Sequence, residues 1–181
     1  MFGLTMDQFA LLSLAPVTAL AGLLIYFTRA GMRRVSGALL GGIAGGLLNV
    51  VADLLAFALG WWHYASTHPA YAPPWFYVTA GLGYGAVFSL LGWRIERRFG
   101  RRGVLMFLAC IAIYGPLRDY LGTAAASASG FHLLVMTPAP LAVLADVLCW
   151  VGCVGLAMLV MRLAAGPARA DRLARKPAVG L

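Results

Sequence analysis

Five long apolar runs, separated by short loops that gather arginine, constrain this chain more than any other feature. They cover residues 8–28, 37–60, 74–92, 104–122 and 139–161. Each approaches or exceeds the roughly 20 residues that a helix needs to cross about 30 Å of hydrocarbon at about 1.5 Å per residue. No alternation of strand length competes with them. Of the 181 residues, 62% are hydrophobic and only 11% are charged, and the mean hydropathy is +0.85. A water-soluble domain of this size needs far more polar surface, so soluble folds are excluded. The expected fold class is all-α, a polytopic membrane helix bundle with five transmembrane helices. One such bundle over residues 1–166 is expected to precede a basic cytoplasmic tail at 167–181.

The loops give the orientation. Arg29, Arg33 and Arg34 lie between the first two runs, and Arg94, Arg97, Arg98, Arg101 and Arg102 between the third and fourth. Arg162, Arg169, Arg172, Arg175 and Lys176 follow the fifth, so 13 of the 14 Lys and Arg residues fall on one side. The opposite loops carry only Asp7, His63, His68 and His132. The positive-inside rule then places the N-terminus outside and the C-terminus inside a bacterial cytoplasmic membrane, with an odd number of crossings. A formal net charge of +8 would suggest nucleic acid in a soluble protein. Here the cations flank apolar runs, so nucleic acid is not expected. The implied partners are membrane lipids, through anionic headgroups at the cytoplasmic face. A homo-oligomer or a membrane partner stays open. The opening MFGLTMDQF has no basic residue, so the first run reads as a retained span and not a cleaved signal. Cys110, Cys149 and Cys153 sit inside apolar runs and suggest no disulfide framework.

Within this frame, residues 36–64 (SGALLGGIAGGLLNVVADLLAFALGWWHY) carry the richest chemistry. Gly42, Gly46, Asn49 and Asp53 recur at steps of four, three and four residues, which puts them on one helix face. Glycines on such a face let another helix approach closely. A carboxylate in hydrocarbon is costly enough to need a partner or a task. Counting helical rise from the basic ends places Asp53, Asp146 and Asp119 about 7, 6 and 9 Å outside the midplane. Three carboxylates from three helices thus share one level. Arg118 adjoins Asp119 beyond Pro116 and is the one basic residue away from the arginine-rich side.

Each of these residues also has a plain structural explanation. Asn49 and Asp53 can act as helix–helix glue, although Ser, Thr or Asn makes glue more cheaply than Asp, which favours function. Arg118 and Asp119 can be an ion pair holding a kinked helix end. Core packing accounts for Cys149, Trp150 and Cys153 beside Asp146. His63 and His68 suit a wetted rim; no HxxxH or HExxH spacing links them or His132 to a metal, and no cofactor motif is present. Trp61, Trp62, Tyr64, Tyr71 and Trp75 match an interfacial aromatic belt. Residues 123–138 are expected to form an outer loop with a short interfacial helix.

Asp53, six residues, then Gly60-Trp61-Trp62-His63-Tyr64, then prolines opening the next run, resembles a pattern in integral-membrane carotenoid enzymes. The families are the small heterodimeric lycopene cyclases and the related carotenoid hydratases. The likeness covers the second and third runs, and it implies that Asp53 is the intramembrane acid. Pro73-Pro74-Trp75-Phe76 stands where those families have a proline-plus-acid motif, and it lacks the acids, which argues against cyclisation itself. A fainter internal echo sets Asp53, GWWH and Pro73-Pro74 beside Asp119, GFH and Pro138–Pro140, but the spacings differ and chance is the safer reading.

The leading expectation is an intramembrane enzyme acting on a lipid or isoprenoid by acid/base chemistry. A carboxyl group in hydrocarbon favours its protonated form and can serve as a general acid. The candidate catalytic residues are Asp53 as donor, Asp119 and Asp146 as acceptors, with Arg118 and Asn49. The candidate substrate contacts are Trp61, Trp62, His63, Tyr64, His132 and Trp150, and the ring faces of Trp61, Trp62 and Tyr64 can stabilise cationic character. The alternatives are a non-catalytic membrane subunit or scaffold, and a proton-coupled transporter module acting as an oligomer. The three differ in geometry: a closed cavity, buried polar pairs, or a hydrated path.

Overall fold

The computed structural model describes residues 6–65, 68–128 and 134–168. Its elements are helices α1 (Met6–Thr28) and α2 (Met32–Ala58), strand β1 (Trp62–Tyr64), helices α3 (Pro74–Leu82) and α4 (Leu90–Ala128), strand β2 (Leu134–Met136) and helix α5 (Pro140–Ala165). A π-helical segment, Gly83–Ser89, joins α3 to α4 without interruption. Apart from one two-stranded ribbon, the described chain is all-helical. Four helical stretches are long and apolar enough to cross a membrane: Asp7–Thr28, Met32–Ala58, Pro74–Ala128 and Pro140–Ala165. The chain therefore has the make-up of a multi-pass membrane protein.

The third stretch is 55 residues long and turns back on itself. Gly100 alone within α4 leaves helical geometry, at φ 64° and ψ −151°, a conformation that glycine adopts without a Cβ penalty. The rings of Phe88 and Tyr114 stand 6.0 Å apart, where an unbroken helix would separate them by about 39 Å. Pro16 and Pro116 both stay within helical elements. The sharp reversal falls instead at a glycine inside the densest arginine cluster.

Glycine also decides how the helices pack. The buried glycines of α2 form two stripes facing different neighbours. A methyl group on Gly41 would overlap the Ala157 carbonyl oxygen of α5, and one on Gly45 would lie 2.9 Å from that of Cys153. On the other stripe, a methyl on Gly42 would overlap the Gly81 carbonyl oxygen of α3. Gly85 in the π segment approaches Ala38 of α2 just as closely. Helix α2 is thus the central post, held between α3 and α5 at backbone contact.

The ribbon caps this bundle. Helix α2 ends in a Schellman motif, with Trp61 N–H donating to Ala56 O at 2.8 Å and Gly60 N–H to Phe57 O at 3.1 Å. Gly60 takes φ 69° there. The chain is thereby turned so that β1 returns across the end of its own helix. Strand β1 pairs antiparallel with β2, matching Trp62 with Met136, His63 with Val135 and Tyr64 with Leu134. Thr137 ties the ribbon down, its Oγ1 donating to Gly60 O at 2.9 Å. This corrects two expectations. Helix α4 continues to Ala128 and does not end near residue 122, and residues 134–136 are strand where an interfacial helix was expected. The tail from residue 169 onward lies outside the described residues.

Candidate functional site

The polar face of α2 is the natural starting point. Asp53 is 2% exposed, and four donors converge on its carboxylate. Trp62 Nε1 donates to Oδ1 at 3.0 Å. Oδ2 accepts from Tyr77 OH at 2.8 Å, Tyr64 OH at 3.0 Å and Asn49 Nδ2 at 3.2 Å. Asn49 is fixed in turn, because its Oδ1 accepts from Tyr84 OH at 2.5 Å. Tyr77 OH accepts from the Ala72 backbone N–H at 2.9 Å, which directs its proton toward Asp53. Burial, and after it the neighbouring Asp53, push the Tyr64 phenol well above its ordinary pKa, so it stays a donor.

Local backbone geometry supplies these donors. Alternation along β1 turns Trp62 and Tyr64 inward, both buried, and sends His63 out to the surface. Pro74 opens α3 at its first turn, which puts Tyr77 one turn into the helix. Tyr84 lies in the π-helical segment, whose wide turn is closed by Ser89 Oγ donating to Tyr84 O at 2.7 Å.

A second carboxylate sits on α4. Asp119 takes an ion pair from Arg118 at 2.5 Å, and its Oδ2 accepts from Trp150 Nε1 at 2.7 Å. The Trp150 indole can lie against α4 because Gly115 has no side chain; a methyl there would overlap the ring. Around it, Tyr84, Phe88 and Tyr114 pack edge-on with centroids 5.8, 6.1 and 5.8 Å away. The Arg118 guanidinium stands 5.6 Å from the same ring. Arg118 is therefore committed to Asp119 and Trp150, and Asp53 is served by neutral donors.

The third carboxylate behaves differently. Asp146, one turn before Trp150 on α5, is 4% exposed. Its Oδ2 is buried and makes no hydrogen bond among the described residues. An unpaired buried oxygen of this kind costs about 1–3 kcal/mol or more, and natural structures keep few of them.

All three carboxylates line one cavity of about 320 Å³. Asn49, Trp62, Tyr64, Tyr84, Arg118 and Trp150 also line it, and Phe9, Phe76, Cys149, Leu134 and Met136 give it apolar walls. That size is at the lower end for sites that take small ligands. A few polar groups set among apolar walls is the pattern such sites use to orient an apolar ligand. Among the described residues, no group of three or more His, Cys, Asp or Glu side chains is placed to hold a metal.

The structure thus brings together eight of the candidate residues: Asn49, Asp53, Trp62, Tyr64, Arg118, Asp119, Asp146 and Trp150. Two others do not line the cavity. His63 points away from the cavity because the pleat turns it outward, and Trp61 sits at the helix–strand corner, where its backbone bonds to Ala56 and Thr137. His132 lies outside the described residues. Sequence reasoning missed Tyr77 and Tyr84, since an aromatic residue inside an apolar run reads as core. No protein-family model matches the chain, and no curated protein or solved structure is significantly similar to it.

Proposed function

We propose that the protein is an intramembrane enzyme that performs acid/base chemistry on a lipid or isoprenoid, with Asp146 as the proton-transferring group. The observation that carries this reading is the buried, unpartnered Asp146 oxygen in a largely apolar cavity that two further carboxylates line. Glue between helices would have its hydrogen bonds satisfied, as Asp53 does; a carboxyl kept without a partner is available to exchange a proton. The sequence pointed first to Asp53 as donor. Its four hydrogen bonds move that role to Asp146 and leave Asp53 as a fixed negative group that anchors the ribbon.

In the proposed step, Asp146 donates its proton to one carbon of a polarised double bond, and a C–H bond forms. Positive charge develops on the neighbouring carbon. The faces of Trp150 and Tyr84, and the anionic Asp53 and Asp119, stabilise that charge. A carboxylate then removes a proton from an adjacent carbon, so the substrate leaves as an isomer; with a different carboxylate as acceptor, that proton passes back to Asp146 across the shared cavity before the next turnover. Asp119, held by Arg118 and Trp150, fits that acceptor role through its position on the cavity wall. The resemblance to carotenoid enzymes supports an isoprenoid substrate. In place of the missing acids after Pro74, α3 supplies Tyr77 to the same Asp53.

We further propose five crossings, with the N-terminus outside and the arginine-rich loops in the cytoplasm. The reversal at Gly100 supports this count, because it divides the 55-residue stretch into two arms that each suffice to span. The experiment that tests the function is mass-spectrometric profiling of lipids and isoprenoids in cells with and without the gene. A species that accumulates without the gene, and again when only Asp146→Asn is supplied, supports the reading. An unchanged profile refutes it.

A further inference from the structure

At the opposite end of the bundle, away from the carboxylates, lies a second cavity of about 360 Å³ between α2, α4 and α5. Three guanidinium groups line it, those of Arg34, Arg101 and Arg162, against a single carboxylate among the described residues, Glu96. Arg34 is only 5% exposed. It is built into the wall, its Nη1 donating to Gly166 O at 2.8 Å while its guanidinium stands 5.0 Å from the Trp93 ring centroid. Glu96 is engaged by Arg162 at 3.6 Å. Among the described lining residues the arginines outnumber the carboxylate, and Arg101 and Arg162 stand at the more open part of the wall. The rest of the wall is apolar: Leu105, Leu108 and Leu159 run from the arginines along the seam of α4 and α5. Leu105 and Leu159 are 68% and 52% exposed, which opens that seam to the surrounding phase.

We infer that this cavity is a binding site for one anionic phospholipid, whose phosphate sits between Arg34, Arg101 and Arg162 and whose acyl chain lies along the leucine seam. Guanidinium groups match phosphate oxygens in geometry and hold charge at any physiological pH. A cationic pocket continuous with an exposed apolar groove suits a headgroup joined to a chain. A free phosphate would use the arginines and leave the groove without a role. The assignment is independent of the chemistry proposed for the carboxylate cavity.

The test uses the full chain, purified in detergent and freed of native lipid. Binding of phosphatidylglycerol, phosphatidylcholine and inorganic phosphate is measured separately, by native mass spectrometry and by thermal melting. One phosphatidylglycerol per chain should be retained and should raise the melting temperature, with phosphatidylcholine and millimolar phosphate doing neither. Arg101→Gln and Arg162→Gln should each weaken phosphatidylglycerol binding about five-fold, on the scale of one arginine near an anionic surface. Arg98→Gln changes an exposed arginine outside the cavity lining and should leave binding unchanged. Arg34 is part of the wall, so it is not the variant of choice. Equal retention of phosphatidylcholine, or no effect of Arg101→Gln and Arg162→Gln, would overturn the assignment. Stabilisation by inorganic phosphate with no gain from lipid would assign the arginines to a free phosphate and overturn the lipid site.

Discussion

Asp53→Asn alters a single side-chain position and keeps its shape, yet the geometry requires it to be costly. Asparagine has one acceptor oxygen and one NH2 donor, whereas the native carboxylate accepts from Trp62 on one oxygen and from Tyr77, Tyr64 and Asn49 on the other. If the amide nitrogen replaces Oδ1, it faces the Trp62 N–H, which can only donate. The remaining three bonds fall from charge-assisted to neutral strength, a loss of about 1 kcal/mol each. Adding about 1–2 kcal/mol for the donor–donor mismatch gives a total near 4–5 kcal/mol. The opposite flip sets the NH2 against the Asn49 NH2, donor facing donor, and forces the Tyr64 and Tyr77 hydroxyls to accept where they donated. At about 2–4 °C per kcal/mol for a chain of this size, the melting transition should fall by roughly 8–20 °C. Tryptophan fluorescence during heating in detergent micelles measures it. Asp146→Asn is the internal comparison: its Oδ2 makes no hydrogen bond among the described residues, so the same substitution should change stability by less than about 1 kcal/mol. A shift below about 2 °C for Asp53→Asn would refute the claim that this carboxylate is held as a fourfold acceptor.

Packing along α2 gives a graded test. Gly42→Leu should destabilise by about 3 kcal/mol or more, since even a methyl there overlaps the Gly81 carbonyl, and Gly46→Ala by less than about 1 kcal/mol, since its methyl would lie 3.4 Å from Tyr77 O; equal melting shifts would contradict the stripe assignment. A reporter active only outside the cytoplasm should work when fused after Ser66 and fail after Gly100; activity after Gly100 would refute the five-crossing topology. Because the folded-state pKa of Tyr64 is raised above its unfolded value of about 10, its contribution is intact below pH 10 and lost as pH rises beyond it. Tyr64→Phe should therefore show a shallower loss of melting temperature above pH 10 than the native protein, and an identical slope would contradict that burial.

Much of this architecture can be read from the residues, and the reasons differ from place to place. Asp53, Asp119 and Asp146 stand out because charge inside apolar runs is rare, and helical rise alone brings them to one level. Trp62 and Tyr64 stand out as rim aromatics. Their inward direction, and the outward direction of His63, depend on a three-residue strand pairing with another 70 residues away, which no local pattern encodes. Strand β2 reads only Leu-Val-Met, too short for alternation to show. Tyr77 and Tyr84 are hidden because their hydroxyl partners come from tertiary packing and, for Tyr84, from a π-helical register that shifts its direction. The faint echo between the two halves has a structural counterpart: each half sends a short strand to the shared ribbon and opens its next helix on a proline.

The central claim is that Asp146 moves a proton to and from an apolar substrate. Membranes containing the protein, incubated in D2O with a total lipid extract and analysed by mass spectrometry, test it most directly. The proposed chemistry requires one lipid or isoprenoid species to gain a carbon-bound deuterium in the presence of the native protein. With Asp146→Asn, folded and present in equal amount, that gain should disappear. A native protein that labels no species, or a folded Asp146→Asn variant that labels the same species at the same rate, would contradict the claim.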